Sequence, residues 1–186
     1  MSDLAAVKAA ARKEGFARRK AAHAKDRGTG AGQLSAVLAG YRGVPLAGYM
    51  PIRTEIDPLP AMEEASAHGC VGVPVIMGEG LPLKFAKWEP GAKMVAGPFG
   101  AQIPARPEFF EPEILIVPLV AFDPMGGRLG YGGGFYDRSL EALRAIRATL
   151  AIGYAYADQQ AGSLPLEATD QPLDLIVTER KVFDFR

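Results

Sequence analysis

Cysteine is almost absent from this chain. The one present, Cys70, excludes an internal disulfide and gives no zinc framework. It stands beside an apolar run, so a buried structural thiol is expected there rather than a nucleophile. Histidine is as scarce. His23 and His68 fall on expected helix surfaces with no clustered partner, which argues against a catalytic imidazole and against a histidine-bound metal. Net charge is also missing, because 21 Lys and Arg balance 21 Asp and Glu. That balance speaks against general nucleic-acid binding. No apolar run approaches the ~20 residues of a membrane span, and the first residues lack the apolar core of a signal peptide. A soluble cytoplasmic protein with no membrane partner is the expectation. Finally, Gly-x-x-x-x-Gly-Lys-Ser/Thr occurs nowhere, so there is no Walker A loop.

What is present fits a globular enzyme-sized unit. Apolar residues make up 48% of the 186 and charged residues 23%, enough for one α/β domain with a proper core. Residues 1–186 read as a single domain without internal repeats. Asp3 to about Lys25 is an Ala-, Lys- and Arg-rich helix with Leu4, Val7, Ala11 and Phe16 as apolar anchors and Gly15 as a weak point. Gly28 to Gly32 reads as a linker, and Gln33 to Ala39 as a short helix. Val44 to Ile52 is a strand interrupted by Pro45 and Gly48. Asp57-Pro58 opens a helix through Ala67. Val71 to Met77 and Leu83 to Trp88 form a hairpin about Gly78-Glu79-Gly80, and Ala105 to Pro112 is a proline-rich loop. Further strands are expected over Ala148–Tyr156, Leu175–Thr178 and Lys181–Phe185. Strands alternating with helices predict an open, mostly parallel sheet with helices on both faces.

The centre of the chain is Glu113 to Leu150. Ile114 to Val120 is an almost unbroken apolar run, the pattern of a strand buried on both faces. Asp123-Pro124-Met125-Gly126-Gly127-Arg128-Leu129-Gly130-Tyr131-Gly132-Gly133-Gly134-Phe135-Tyr136-Asp137-Arg138 follows, and then Leu140, Leu143, Ile146 and Leu150 recur at helical spacing. Strand, glycine loop and helix bring backbone N–H groups together at a helix N-terminus, where an anion is favoured. Arg128 adds a forked cation suited to phosphate. Asp137 puts a carboxylate at the helix start, within reach of a magnesium ion on that phosphate. Glycines alone favour a flexible hairpin, with Asp137 as a helix cap.

The full string Asp-x-x-Gly-x-Arg-Leu-Gly-x-Gly-x-Gly-aromatic-Tyr-Asp-Arg is far more specific. It resembles the signature of the 5-formyltetrahydrofolate cyclo-ligase (methenyltetrahydrofolate synthetase) family, whose motifs match from Lys8 to Thr178. The resemblance implies a three-layer α/β fold, NagB/RpiA/CoA-transferase-like. It also implies ATP- and Mg2+-dependent closure of 5-formyltetrahydrofolate to 5,10-methenyltetrahydrofolate. By the same resemblance Lys8 and Arg12, which share a helix face, contact ATP phosphates together with Arg128 and the loop Leu129, Gly130, Tyr131, Gly132, Gly133, Gly134, Phe135 and Tyr136. Spacing alone favours a solvated basic face for Lys8 and Arg12, and the resemblance is what points to phosphate. Arg18, Arg19 and Lys20 are taken as surface.

Arg128 and Tyr136 are the catalytic candidates. Met50, Glu55, Tyr131, Gly132, Gly133, Gly134 and Phe135 would border the folate, with Trp88 and Phe99 as wall or core. Asp137 and Asp174 would hold magnesium, Asp170 remaining a turn former. The chain departs from the family pattern in three places. Gln102-Ile103-Pro104 lacks a glutamate, Phe135 replaces a tyrosine, and Gly133 stands where some members have lysine. Only small molecules, ATP and the folate, are implied as partners, and a monomer is expected. The alternatives are a non-catalytic RNA-associated module and a phosphate-ligand-binding module on the same fold.

Overall fold

The computed structural model describes residues 3–186. In chain order its elements are α1 (Asp3–Lys25), α2 (Gly30–Leu38), β1 (Leu46–Ala47), α3 (Leu59–Ser66), β2 (Val71–Val75) and β3 (Lys84–Lys87). Next come β4 (Met94–Ala96), β5 (Gln102–Pro104), β6 (Phe109–Phe110), β7 (Ile114–Val117), β8 (Ala121–Phe122) and β9 (Arg128–Leu129). The chain ends with α4 (Phe135–Ile146), β10 (Leu150–Tyr154), β11 (Leu175–Val177) and β12 (Val182–Asp184).

The main sheet has the order β12-β11-β10-β7-β1-β2-β3-β6. The run from β11 to β2 is parallel throughout, and β12, β3 and β6 join antiparallel at its two ends. β7 lies at the centre, and every residue of it is buried, as its apolar run predicts. Strand alternation then splits the core in two. Ile114 and Ile116 face one layer with Leu46, Ile152 and Tyr154, covered by Leu34 and Leu38 of α2 and Ala61 and Met62 of α3. Leu115 and Val117 face the other with Ala47 and Ala151, covered by Leu140 and Leu143 of α4. The result is the three-layer α/β architecture expected.

Several local expectations need correction. The run from Ile114 to Val120 does not pass straight into the glycine loop. Pro118 cannot donate to a ladder. Beyond it β8 and β9 form a separate hairpin, Ala121 opposite Leu129. Its turn is closed by buried Asp123, whose Oδ1 accepts the N–H groups of Met125 and Gly127, each at 2.9 Å. Phe109 and Phe110, expected in a loop, add an edge strand to the sheet. Helix α2 begins at Gly30, inside the expected linker, where a Cβ would lie 2.8 Å from the Tyr154 hydroxyl and 3.0 Å from Ile56 Cδ1, so the absence of a side chain lets the helix start pack close to both.

Helix α1 differs most from its reading. Its buried residues are Lys8, Gly15, Arg19 and Ala22, whereas Val7, an expected anchor, is 52% exposed. Gly15 is a contact surface rather than a weak point. A Cβ there would stand 2.8 Å from Val120 Cγ1 and 3.0 Å from the Val120 carbonyl oxygen. The helix therefore crosses the strand-end region at Gly15 and presents a cationic stripe to it. Gly15→Leu is expected to destabilise the protein by about 2 kcal/mol through overpacking, despite the gain of ~1 kcal/mol in helix propensity. Urea unfolding reads the outcome, and a variant at least as stable as the parent contradicts this crossing.

Candidate active site

The glycine loop leads into α4 through Gly134, which is the N-cap in a left-handed conformation (φ 69°). No side chain caps the helix, so its first N–H groups are available to a ligand, and the helix dipole favours that ligand being an anion. Gly132 is also left-handed (φ 101°), and the Arg12 guanidinium carbon lies 3.2 Å from where its Cβ would be. Glycine is thus needed at 132 both for the turn and for the approach of Arg12. Arg12 Nε donates to the Gly130 carbonyl at 2.9 Å, pinning α1 to the loop.

Three more cations surround this helix end. Arg128 is held by Asp137, Nη2 to Oδ1 at 2.7 Å, with its side chain 7% exposed. The same Oδ1 accepts the Gln171 N–H at 2.9 Å. Arg138 lies over the Phe135 ring at 5.1 Å. Lys8, also buried, pairs with Glu167 at 3.1 Å and Asp170 at 3.2 Å. Among the described residues the buried side-chain polar atoms without a hydrogen-bond partner are Arg19 Nη2, Arg128 Nε, the Tyr136 hydroxyl, and Arg138 Nε and Nη2. Desolvated donors without acceptors are costly, and here all of them gather about one loop.

Glu55 supplies the opposite charge on the other side of Tyr131. It is 6% exposed, and Oε1 accepts the Ile52 N–H at 2.8 Å. Burial pushes its carboxyl up to about 7, opposed by that backbone bond and by the nearby charge of Arg19. The Tyr131 ring rests on Phe16 (5.5 Å) and beside the Arg19 and Arg53 guanidinium groups, at 5.4 and 5.7 Å. Burial raises the Tyr136 phenol well above its usual range, with Glu55 adding to the rise and Arg128 opposing it. Tyr136 thus stands between the cationic half and the Glu55 half as a neutral O–H donor. On the rim, Phe99 is 75% exposed, sits at a strained positive φ of 59°, and faces Phe135 at 6.3 Å.

Of the residues expected at a site, Lys8, Arg12, Arg128, Tyr131, Phe135, Tyr136 and Asp137 all meet around the loop. Met50 lines the core cluster that also holds Tyr49 and Ile56, flanking Glu55. Trp88 belongs to the core, 9% exposed. Gly133 is crowded by the folded-back Phe135 ring, 2.8 Å from where its Cβ would be. Asp174 is not brought to Asp137. It accepts from Arg144 (3.2 Å) and from Ala151 N–H (2.8 Å) at the amino end of β10. Arg144 is seven residues beyond Asp137 in α4, about 10 Å along the axis, so Asp174 is corrected from magnesium partner to a structural anchor. Asp170 keeps its turn role, accepting the Glu167 N–H at 2.8 Å, and also reaches Lys8.

Sequence reasoning missed Arg138 and Arg19. Arg19, taken as surface, is 1% exposed. Its signal was available: Lys8, Arg12, Gly15 and Arg19 are spaced four, three and four, one helical face. Arg138 directly follows the aspartate of the motif and lies one turn beyond the helix cap.

Known proteins bear on this site. The profile of the 5-formyltetrahydrofolate cyclo-ligase family matches residues 5–179. The 5-formyltetrahydrofolate cyclo-ligase of Escherichia coli (strain K12) is 48% identical over 73 residues, which are 39% of this chain and 40% of that protein. The aligned part thus spans less than half of that relative's length. The protein of the same name from Mycolicibacterium smegmatis (strain ATCC 700084 / mc(2)155) is 28% identical over 165 residues, 81% of this chain and 84% of the relative. Among solved structures, Aquifex aeolicus 5,10-methenyltetrahydrofolate synthetase superposes with a TM-score of 0.78 at 29% identity, covering 97% of this chain and 93% of the other. A 5,10-methenyltetrahydrofolate synthetase from Mycoplasma pneumoniae shares the fold, with a TM-score of 0.71 at 23% identity over 92% and 98%.

Glu55 makes stability depend on pH in a stated direction. Its folded value lies above its ordinary one, so its protonated form favours folding and that contribution is lost as pH rises through about 7. Glu55→Gln is expected to match the parent at pH 4 and to exceed it at pH 8 by on the order of 3 kcal/mol in urea unfolding. Parallel pH profiles for the two proteins would contradict the buried carboxyl.

Proposed function

The chain belongs to the 5-formyltetrahydrofolate cyclo-ligase family, and from that premise we propose that it converts 5-formyltetrahydrofolate to 5,10-methenyltetrahydrofolate at the expense of ATP. The observation that carries the reading is the gathering of unpaired buried guanidinium donors at an uncapped helix N-terminus, beside a buried carboxyl. The first half suits a polyphosphate, and the second suits the amino and N–H edge of a pterin.

The chemistry follows from that division. An N-formyl amide is a weak electrophile, and oxide cannot leave. Transfer of the γ-phosphoryl group to the formyl oxygen forms an O–P bond and releases ADP. The formyl carbon is then activated and carries a leaving group. N10 attacks that carbon, its proton is lost, the C–O bond breaks, and phosphate departs with the ring closed. Phosphoryl transfer is mostly a matter of position and charge neutralisation, which Lys8, Arg12, Arg128, Arg138 and the loop N–H groups supply. Lys8 exchanges its acidic partners, Glu167 and Asp170, for phosphate. Ring closure is intramolecular, so orientation by Glu55, Tyr131 and Phe135 supplies much of the rate. Tyr136, kept neutral by burial, donates its hydroxyl hydrogen to the oxygen that gains negative charge.

Magnesium fits this site as a companion of the nucleotide. The described residues contain no cluster of three His, Cys, Asp or Glu that could hold a metal by itself. Magnesium commonly takes one carboxylate together with phosphates and water. Asp137 is that carboxylate: Oδ1 is engaged by Arg128 and Gln171, which leaves Oδ2 for the ion. Bound there, magnesium would neutralise phosphate charge.

Incubation with 5-formyltetrahydrofolate, ATP and magnesium should develop methenyl-folate absorbance, and its absence with folded protein refutes the activity. Arg128→Ala should lower kcat/KM by an amount equivalent to about 1.5–3 kcal/mol, the loss of a charged hydrogen bond. Unchanged kinetics for both substrates would remove Arg128 from the site. Asp137→Asn should weaken the dependence of rate on magnesium concentration, and a parental metal response would exclude Asp137 as the ligand.

A further inference from the structure

Arg19 is the strongest group in the molecule without a purpose. Its guanidinium is 1% exposed, yet it lies between two rings, Phe16 at 5.1 Å and Tyr131 at 5.4 Å. Nε donates to Thr54 Oγ1 at 3.0 Å, and Nη1 reaches the Leu119 carbonyl at 3.5 Å. Nη2 has no partner. Among the described residues no carboxylate forms an ion pair with it, although Glu55 is near enough to feel its charge. Burying a guanidinium with a free donor costs several kcal/mol unless something completes it. A purely structural arginine would pair with Glu55 directly. Here Arg19 is instead gripped by Thr54 and Glu55 by Ile52, and the Tyr131 hydroxyl lies close to both side chains.

Resting on the reading that Glu55 meets the pterin, we propose that Arg19 Nη2 is the donor half of a two-part recognition edge. Glu55 accepts from a ring N–H, and Arg19 donates to the ring carbonyl next to it. The ligand class selected is a flat lactam, in which N–H and C=O are neighbours, as N3–H and C4=O are in a 4-oxopterin. The Tyr131 ring, supported by Phe16 and Arg19, lies beside that edge and supplies an aromatic face for the flat ring. A site built to hydrogen-bond a group rejects an analogue lacking it far better than a hydrophobic pocket can, because buried donors are left unpaired. Arg19 therefore determines specificity for the oxo form.

The test compares two ligands on each protein by isothermal titration calorimetry: 5-formyltetrahydrofolate and its 4-thioxo analogue, which keeps N3–H but replaces the carbonyl oxygen with a far weaker acceptor. The parent should favour the oxo compound by more than tenfold. Arg19→Met should lose most of that preference, so that the two ligands bind within about threefold, while ATP affinity is unchanged. A merely structural arginine would weaken both ligands alike and leave the ratio intact, which overturns the proposal. Should Arg19→Met fail to fold, Thr54→Val, which frees Nε and lets the fork swing, is expected to lower the same ratio severalfold. An unaltered ratio there also overturns it. A parent that binds neither folate instead removes the reading of Glu55 on which the proposal rests. A parent that binds both ligands equally leaves that reading standing and refutes the role of Arg19 alone.

Discussion

Positive charge buried without enough negative charge to match it is the constraint around which this molecule is arranged. Lys8, Arg12, Arg19, Arg128 and Arg138 converge on one glycine loop and one helix end. Asp137, Glu167 and Asp170 hold two of them, Arg128 and Lys8. The others are anchored by backbone, by a hydroxyl or by aromatic faces. Such an arrangement lowers the stability of the empty protein. On the proposed function, a polyanion bound at Lys8, Arg12, Arg128 and Arg138 would offset that cost, because the donors are already desolvated.

The fold exists to hold that charge in place. The parallel strands carry the backbone to their carboxyl ends, the usual ligand edge of an open α/β sheet. β7 and its two covering layers fix the position of the loop that follows. The hairpin of β8 and β9, closed by Asp123, delivers Arg128 to the start of α4. Helix α1 lies across the strand ends at Gly15, so its polar face, rather than an apolar one, is the buried face. An amphipathic helix usually buries its oily side. This one buries cations, Lys8 against Glu167 and Asp170, and Arg19 between Phe16 and Tyr131.

That inversion explains which features were legible in the sequence. The buried ribbon from Ile114, the hairpin of β2 and β3, the parallel α/β class and the glycine loop that leads into a helix all follow from apolar patterning and glycine placement. Arg19 and Arg138 escaped because an arginine in a polar helix reads as surface by composition. Only the spacing of Lys8, Arg12, Gly15 and Arg19 reports that the face is covered. Asp174 was misplaced for a different reason. Its motif sits just before a strand, and sequence does not say that the five residues from Asp170 to Asp174 run from the start of α4 to the amino end of β10. The β6 strand was equally hidden, since two residues carry no periodicity and pairing with β3 decides their state.

The central claim is that the phosphates of a nucleotide complete the unpaired guanidinium groups at the start of α4. A crystal structure of the protein with a non-hydrolysable ATP analogue and magnesium tests it most directly. The account predicts the β- and γ-phosphates between Arg12, Arg128 and Arg138, accepting N–H groups of residues 132–136. Phosphates bound anywhere else, with these three side chains still unpaired, would contradict it.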